Sequence, residues 1–193
     1  MRLFVAVTPP AAAVDHLAAA LVAARETGAA NRAAGPLLRW VRPQLWHLTL
    51  AFFGEVAEAA DQAGLQERLA RTAHRHPVLA LQFRGAGAFS RPARASVVWV
   101  GVDGARDPLG KLAASCAAAG RRIGIDVEKR SYRPHLTVAR AKGREPVDVR
   151  TLVTALAGYA GPVWTAAELH LIRSHLGPQP RYDTIARWPL QGA

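Results

Sequence analysis

QLWHLTLAFFGEV, residues 44–56, has the composition of a buried strand, yet it carries an ionisable side chain. Because side chains alternate along a strand, His47 and Thr49 face one way and Leu48 and Leu50 face the other. The apolar face predicts packing against a core. The polar face needs partners, because a buried histidine that makes no hydrogen bond destabilises a fold.

A second stretch, RSYRPHLTVARAK at residues 130–142, repeats this pattern. Both stretches contain His-Leu-Thr-aliphatic-Ala, and alternation again places His135 and Thr137 on one face. A single pair of this kind is usually satisfied by the backbone of a half-buried strand. Two copies, one in each half of the chain, favour a functional site, since a pseudo-twofold axis would bring both polar faces to one central cleft.

Two imidazoles and two hydroxyls around one cleft suit a particular chemistry. Histidine titrates at about pH 6.5, so one ring can serve as general base and the other as general acid. Hydroxyl groups donate hydrogen bonds to anionic oxygens. These groups suit in-line displacement at phosphorus, in which one group activates water and the other protonates the leaving oxygen on the opposite side.

The remaining patterns predict an α+β chain with antiparallel strand pairing. Strands are expected at residues 2–7, 38–41, 46–53, 78–89, 96–102, 135–140, 167–176 and 181–190. Helices are expected at residues 10–27, 57–75, 107–120 and 147–158, with a loop between Gly28 and Gly35. No Pro-, Ser- or Gly-rich linker separates the halves, which predicts a single bilobal domain over residues 1–193.

Length and composition indicate a folded globular protein. The chain has 193 residues, and half of them are hydrophobic. A helix needs about 20 apolar residues to span a membrane, and no apolar run in the sequence approaches that length. The first residues resemble a strand more than a signal peptide, because Pro9 and Pro10 interrupt the apolar segment. The one cysteine, Cys116, has no disulfide partner and fits a small buried helix residue. We therefore expect a soluble, cytoplasmic protein that does not bind a membrane.

The net charge is +11, and all but three of the 25 basic residues are arginine. This excess favours an anionic partner such as nucleic acid or phosphate. The arginines are scattered, however, and abundant Arg beside abundant Ala also reflects codon composition. The charge therefore supports an anionic ligand without identifying it.

Taken together, the motifs resemble those of the two-histidine (2H) phosphoesterases, and within them the RNA 2',3'-cyclic phosphodiesterases, also described as the 2'-5' RNA ligase family. The resemblance extends over nearly the whole chain, through MRLFVAVTPP, WVRPQLWHLTLAFFGEV, GAGAFSRPARASVVWVGV, YRPHLTVAR and LHLIRSHLGPQPRYDTIARWPL. It implies a bilobal, pseudo-twofold α+β fold. In that fold two antiparallel sheets line a central cleft and the helices lie outside.

The same resemblance implies hydrolysis of a 2',3'-cyclic phosphate to a 2'-phosphomonoester, without a metal or another cofactor. By family analogy His47 is the proton donor to the departing 3' oxygen, and His135 is the proton acceptor from water. Thr49 and Thr137 would hold the non-bridging oxygens. Trp46 departs from the family, which often has a polar or small residue before the first histidine. It is expected to narrow the cleft or to add a stacking surface.

Three residues near the second motif are further candidates for substrate binding, namely Arg140, Arg133 and Tyr132. Arg140 suits a phosphate contact, but simple alternation puts it on the face opposite His135, so a bulge or strong twist is needed. Each of the three, taken alone, is also compatible with a surface position. Arg91 in the SRPAR turn is a similar case.

Phe53, Phe89 and Tyr182 are candidates for stacking on a nucleobase, with core packing favoured for the two phenylalanines. The sequence has no Cys pair, no H-E-x-x-H and no carboxylate near either motif histidine, so no metal site is expected. It also lacks the Walker motif G-x-x-x-x-G-K-[ST], which argues against nucleotide-driven ligation.

Three functions stay open on these grounds. One is a metal-independent RNA 2',3'-cyclic phosphodiesterase, another is reversible 2'-5' ligation of RNA ends by the same chemistry, and the third is non-catalytic RNA binding. The presence of both histidines favours an enzyme. The expected partners are RNA or nucleotides with 2',3'-cyclic phosphate ends, including halves of tRNA, and the expected oligomeric state is a monomer.

Overall fold

A computed structural model of the chain describes residues 1–56, 59–128, 131–175, 177 and 180–192. The strands are β1 (Arg2–Val7), β2 (Leu38–Trp40), β3 (Leu48–Glu55), β4 (Leu79–Arg91), β5 (Arg94–Gly104), β6 (His135–Ala141), β7 (Ala160–Ala166), β8 (Glu168–His175) and β9 (Arg181–Pro189). The α-helices are α1 (Ala11–Glu26), α2 (Gly28–Ala34), α3 (Ala59–His74), α4 (Arg106–Arg121) and α5 (Arg150–Ala155). These elements confirm the predicted α+β class.

The strands form two sheets in which all neighbours run antiparallel. The first sheet has the order β3-β1-β8-β9, and the second has the order β2-β6-β5-β4-β7. Each sheet places a motif strand beside an inner strand, with β3 against β1 and β6 against β5. Because β3 and β6 also contact each other, the two copies of the motif meet where the sheets meet.

Helices from both halves of the chain pack on the two sheets. In the first sheet α4 packs on β3, and α3 packs on β8 and β9. In the second sheet α1 packs on β7, and α5 packs on β4. The helix that follows β1 therefore covers the second sheet, and the helix that follows β5 covers the first. Since each lobe takes a helix from the other, we propose that the two lobes form a single domain.

Burial follows the apolar faces that alternation predicts for the motif strands. Leu48, Leu50, Leu136 and Val138 are all at most 5% exposed. The free cysteine, Cys116, is buried in α4 as predicted, and burial raises the pKa of its thiol. None of the helices among the described residues has the length and apolar character that a membrane crossing requires.

The structure differs from the sequence-based prediction in four places. The helix expected at residues 147–158 forms only over Arg150–Ala155, because Val147 pairs with Ala95 in a β-bridge. The unpredicted strand β7 contains Gly161 and Pro162, which it tolerates because it lies at a sheet edge, beside β4. Helix α2 replaces the expected loop after Gly28, and the Asn31 side chain anchors it by donating a hydrogen bond to the Ala24 oxygen at 2.7 Å. Strand β3 begins one residue after His47, which therefore precedes the strand.

Candidate active site

Both motif strands contain a one-residue bulge at the same point. Where β3 pairs with β1, the register skips Leu50, although Thr49 and Ala51 on either side of it are paired. Where β6 pairs with β5, the register skips Val138 in the same way. The extra residue is the third after the histidine in each copy, so the repeat extends beyond the sequence match to the backbone itself.

The bulges change which residues lie on the same face as the motif threonines. Two consecutive residues are buried at each bulge, and the next residue, Phe52 in β3 and Arg140 in β6, is exposed. Phe52 and Arg140 therefore occupy equivalent positions on the face that carries the motif threonines. Strict alternation would have placed both in the core, and the bulge that Arg140 requires is present.

The two motif histidines are held in the same way. Nδ1 of His47 lies 2.8 Å from the backbone oxygen of Leu45, and Nδ1 of His135 lies 2.7 Å from that of Arg133. A carbonyl oxygen only accepts hydrogen bonds, so Nδ1 carries the proton in both neutral rings. Each imidazole therefore keeps Nε2 available for proton transfer.

Aromatic side chains pack against each imidazole. The ring of His47 lies 4.7 Å from that of Phe4 and 5.3 Å from that of Tyr182, measured between centroids. The ring of Phe89 meets His135 edge-on at 4.7 Å. The core position favoured for Phe89 is therefore wrong, because this side chain lies at the site.

Burial lowers the pKa of both imidazoles. The pKa of His47 is lowered to about 4, mainly by burial. The hydrogen bond with Leu45 opposes this effect, and the charges of Arg140 and His135 add to it. Burial also lowers the pKa of His135, and the charges of Arg140 and Arg133 lower it further, against its own backbone hydrogen bond. Since Arg140 acts on both rings, these three side chains lie within electrostatic range of one another.

A cleft of about 970 Å³ opens beside these groups. It combines cationic, aromatic and small side chains from β3, β4, α4 and the segment before β6 with the carboxylate of Glu128. The lining includes Thr49, Phe52, Phe89, Gly110, Ala113, Ala114, Ala117, Arg121, Tyr132, Arg133 and His135. Such a lining suits an anionic ligand that also carries an apolar ring.

The two candidates before the second motif both reach the cleft, in different ways. The guanidinium of Arg133 lies over the indole of Trp99, 5.0 Å from its ring centroid. The ring of Tyr132 lines the cleft, but its hydroxyl is buried and has no hydrogen-bond partner among the described residues. Burial raises the pKa of Tyr132, so its phenol stays protonated.

Three candidates from the sequence lie away from the site. Trp46 is 6% exposed and donates a hydrogen bond from Nε1 to the Val41 oxygen at 3.1 Å, so it packs in the core. The expectation that it narrows the cleft or offers a stacking surface is wrong. Arg91 lines a separate depression at the end of β4. Phe53 is 3% exposed and belongs to the core, as predicted.

Sequence reasoning missed two residues near the site, namely Phe52, which lines the cleft, and Trp99, which lies under the Arg133 guanidinium. Phe52 shares the sixth position of the repeated hexapeptide with Arg140, and an alignment of all six positions would have paired them. Trp99 pairs across the sheet with Thr137. Its indole lies over Gly87, where a Cβ atom would come within 2.3 Å of the ring, so that glycine makes room for the indole.

The charged neighbours of the two imidazoles are arginines. Among the residues that the structure describes, no group of three or more His, Cys, Asp or Glu side chains has an arrangement that holds a metal ion. The arrangement of charge is therefore suited to an anion.

Residues 13–178 match the family model described as the 2'-5' RNA ligase superfamily. A Geobacillus stearothermophilus protein named RNA 2',3'-cyclic phosphodiesterase is 31% identical over 82% of this chain and 49% of its own length. Proteins of the same name from Aeropyrum pernix and Archaeoglobus fulgidus are 38% and 32% identical, over 56% and 75% of this chain and 60% and 80% of their own lengths. The chain thus spans about half of the first relative and 60% of the second.

Solved structures share the fold over the length of the chain. The protein TT0787 of Thermus thermophilus has a TM-score of 0.73 and 26% identity, covering 100% of this chain and 99% of that one. LigT of E. coli, complexed with 3'-AMP, has a TM-score of 0.72 and 26% identity, covering 98% of this chain and 97% of that one.

Proposed function

Because the chain belongs to the 2'-5' RNA ligase superfamily, we propose that it hydrolyses 2',3'-cyclic phosphates of RNA and nucleotides to 2'-phosphomonoesters. The observation that carries the proposal is the pair of motifs, in which both histidines are held through Nδ1, the two motif strands contact each other, and Arg140 acts on both rings. The Arg140 charge beside both rings suits a phosphate. The ring of Phe52, which lines the cleft and has the Arg2 guanidinium 4.8 Å from its centroid, suits a nucleobase.

We assign the two proton transfers to the two histidines, on opposite sides of phosphorus. Nε2 of His135 accepts a proton from water while the water oxygen forms its bond to phosphorus. Nε2 of His47 donates a proton to the 3' oxygen while the bond between that oxygen and phosphorus breaks. The phosphate stays on the 2' oxygen. Exchange with solvent then returns both rings to their starting protonation states.

The remaining predicted residues would hold the phosphate. Thr49 and Thr137 donate hydroxyl hydrogen bonds to the non-bridging oxygens, and Arg140 stabilises the negative charge that grows there in the transition state. Arg133 adds a second cation beside His135. Tyr132 contributes its ring alone, since its hydroxyl is buried.

Substrate binding has to favour protonation of His47, the general acid. The pKa of His47 is about 4 in the free protein, so this ring is neutral near neutral pH. An anionic phosphodiester beside the ring raises that pKa, because it favours the charged imidazolium. Once loaded, an imidazolium held at a buried position is a strong proton donor to the leaving oxygen.

We expect kcat/KM for a 2',3'-cyclic nucleotide to be largest below pH 6.5, the ordinary pKa of histidine, and to fall as the pH rises. This parameter reports the free protein, in which one ring must be protonated and the other neutral. Burial lowers both pKa values, so the singly protonated pair is lost above that pH. The pH profiles of kcat/KM and kcat check this, and the kcat optimum should lie higher because bound phosphate raises both pKa values. An optimum of kcat/KM on the alkaline side of neutrality would contradict it.

Incubation with adenosine 2',3'-cyclic phosphate tests the proposed function directly. The expected product is adenosine 2'-phosphate, separated from the 3' isomer by chromatography, with a rate that a chelator does not change. A double variant, His47→Asn with His135→Asn, controls for contaminating phosphodiesterases. Formation of the 3' isomer, absence of turnover, or loss of activity with the chelator would count against the proposal.

Reversible 2'-5' ligation is the second candidate, because the matching family is described by that reaction. The same groups would activate a 5'-hydroxyl of RNA in place of water. RNA fragments that carry a cyclic phosphate and a 5'-hydroxyl distinguish the two activities by their products. Halves of tRNA as substrates, a monomeric state and a cytoplasmic location stay predictions.

A further inference from the structure

A groove between α3 and α4, outside the candidate active site, is lined by arginine. Arg68, Arg71 and Arg75 are three and four residues apart, so they lie on one face of α3 and the turn that follows it. Arg122, directly after α4, belongs to the same groove. The groove has a volume of about 460 Å³, and small residues complete its lining, namely Thr72, Ser115, Ala118 and Ala119.

The groove carries more positive charge than its helices require. Within the described part of the chain no carboxylate lines it, and Arg71 alone among its arginines forms an ion pair, with Glu67 at 3.2 Å. Basic residues are favoured in the last turn of a helix, where they offset the helix dipole. Arg68 lies more than one turn before the end of α3, so the helix dipole does not account for its presence.

The neutral polar groups of the groove already have partners. The Thr72 hydroxyl donates a hydrogen bond to the backbone oxygen of Arg68 at 2.9 Å, and Ser115 Oγ lies 2.9 Å from Nε2 of His76. The guanidinium groups of Arg68, Arg75 and Arg122 are therefore the ones available to a ligand, and such groups prefer phosphate or carboxylate oxygens. Because the arginines are distributed along a helix face, they fit a row of anionic groups better than one small anion.

The groove and the cleft each contain an arginine from the end of α4. Helix α4 lies between them, with Ala117 and Arg121 in the lining of the cleft and Ala118 and Arg122 in the lining of the groove. Arg121 and Arg122 are adjacent in sequence, so the basic surface passes around the end of α4. A polyanion whose end occupies the cleft can follow this path into the groove.

We propose that the groove binds the phosphate backbone of the RNA chain whose cyclic end occupies the cleft. The inference rests on the proposed function for the identity of the ligand as RNA, and it adds a preference for oligonucleotides over mononucleotides. Single-stranded nucleic acids commonly bind in positively charged grooves that follow the backbone. Such binding weakens with salt, because each phosphate contact releases counterions.

Kinetics on two substrates separate the contribution of the groove to binding from that of the active site. The substrates are adenosine 2',3'-cyclic phosphate and an oligoribonucleotide of about 10 nucleotides with the same cyclic end, within the usual length of a single-strand site. The variant is the triple substitution Arg68→Gln, Arg75→Gln and Arg122→Gln. KM for the oligonucleotide should rise about 10-fold at low salt, and the slope of log KM against log salt should fall by about 2. For the mononucleotide, KM and the slope of log KM against log salt should both be unchanged.

A matched triple substitution controls for charge. Arg32→Gln, Arg144→Gln and Arg150→Gln remove the same charge from exposed positions outside the groove and the cleft. An unchanged oligonucleotide KM in the groove variant, or an equal rise in both triples, overturns the proposal. So does competition by polyglutamate as strong as that by RNA. If the triple fails to fold, the single variants Arg75→Gln and Arg122→Gln, at exposed positions, replace it.

The two proposals fail in distinguishable ways. If the unmodified protein does not hydrolyse the mononucleotide, the proposed function fails. The groove is then tested by fluorescence anisotropy with a labelled oligoribonucleotide that ends in a 3'-phosphate. Weaker binding by the groove triple than by the matched triple supports the groove without turnover, and equal binding overturns it.

Discussion

Replacing either motif histidine with asparagine is expected to lower kcat for a 2',3'-cyclic nucleotide by at least ~100-fold. Asparagine keeps an N–H near the position of Nδ1, where it reaches the carbonyl oxygen of Leu45 or of Arg133, but it has no atom at Nε2. The loss therefore reports proton transfer rather than a displaced chain. Steady-state kinetics at saturating substrate measure it.

The matched control is His16→Asn, in α1. This histidine is exposed and lies 3.0 Å from the Tyr159 hydroxyl, measured from Nδ1, and its replacement should leave kcat unchanged. Full activity of His47→Asn or of His135→Asn on the cyclic nucleotide would refute the two-histidine mechanism.

A nitrophenyl phosphodiester separates the roles of the two histidines. Nitrophenolate departs without a proton, so the general acid is dispensable for this substrate while the general base is not. We expect His47→Asn to recover most of its activity on the nitrophenyl ester, and His135→Asn to stay inactive. The reverse result would exchange the two assigned roles.

Replacing Arg140 with methionine is expected to lower kcat/KM by about 100-fold, the scale of losing one preorganised charge partner of the transition state. The same change should move the acidic optimum of kcat/KM to higher pH. The reason is that the Arg140 charge lowers the pKa of both His47 and His135. A pH profile of kcat/KM measures both effects in one experiment.

Arg140→Lys and Arg144→Met are the controls for this prediction. Lysine keeps the charge, so the pH optimum should stay in place, but it loses the paired hydrogen bonds of the guanidinium, so kcat/KM should still fall. Arg144 is exposed and lies after β6, and its loss should have no effect. An unchanged kcat/KM in Arg140→Met would exclude a phosphate contact.

The sequence by itself determined the paired motif and the orientation of its first residues. In a strand the faces alternate residue by residue, so His135, Thr137 and Leu136 are assigned from their order alone. The α+β class and the antiparallel sheets also follow from local patterns of apolar residues and turns. Strand β7 was not predicted, because Gly161 and Pro162 argue against a strand unless it is known to lie at a sheet edge.

Only the tertiary structure decided which further residues share a face with the motif threonines. The bulges at Leu50 and Val138 are properties of the pairing with β1 and β5, and they turn Phe52 and Arg140 toward the site. No local pattern in one strand specifies where its register with another strand slips, so alternation placed both side chains on the wrong face.

The protonation state of the site and the existence of the basic groove could likewise not be predicted from the sequence. The pKa of His47 falls to about 4 because the ring is buried, and its neighbours Phe4 and Tyr182 come from distant parts of the chain. Arg68 and Arg122 line one groove only because α3 and α4 pack together. The local pattern thus selects the reacting residues, whereas burial, charge proximity and strand register depend on long-range packing and arise only in the folded chain.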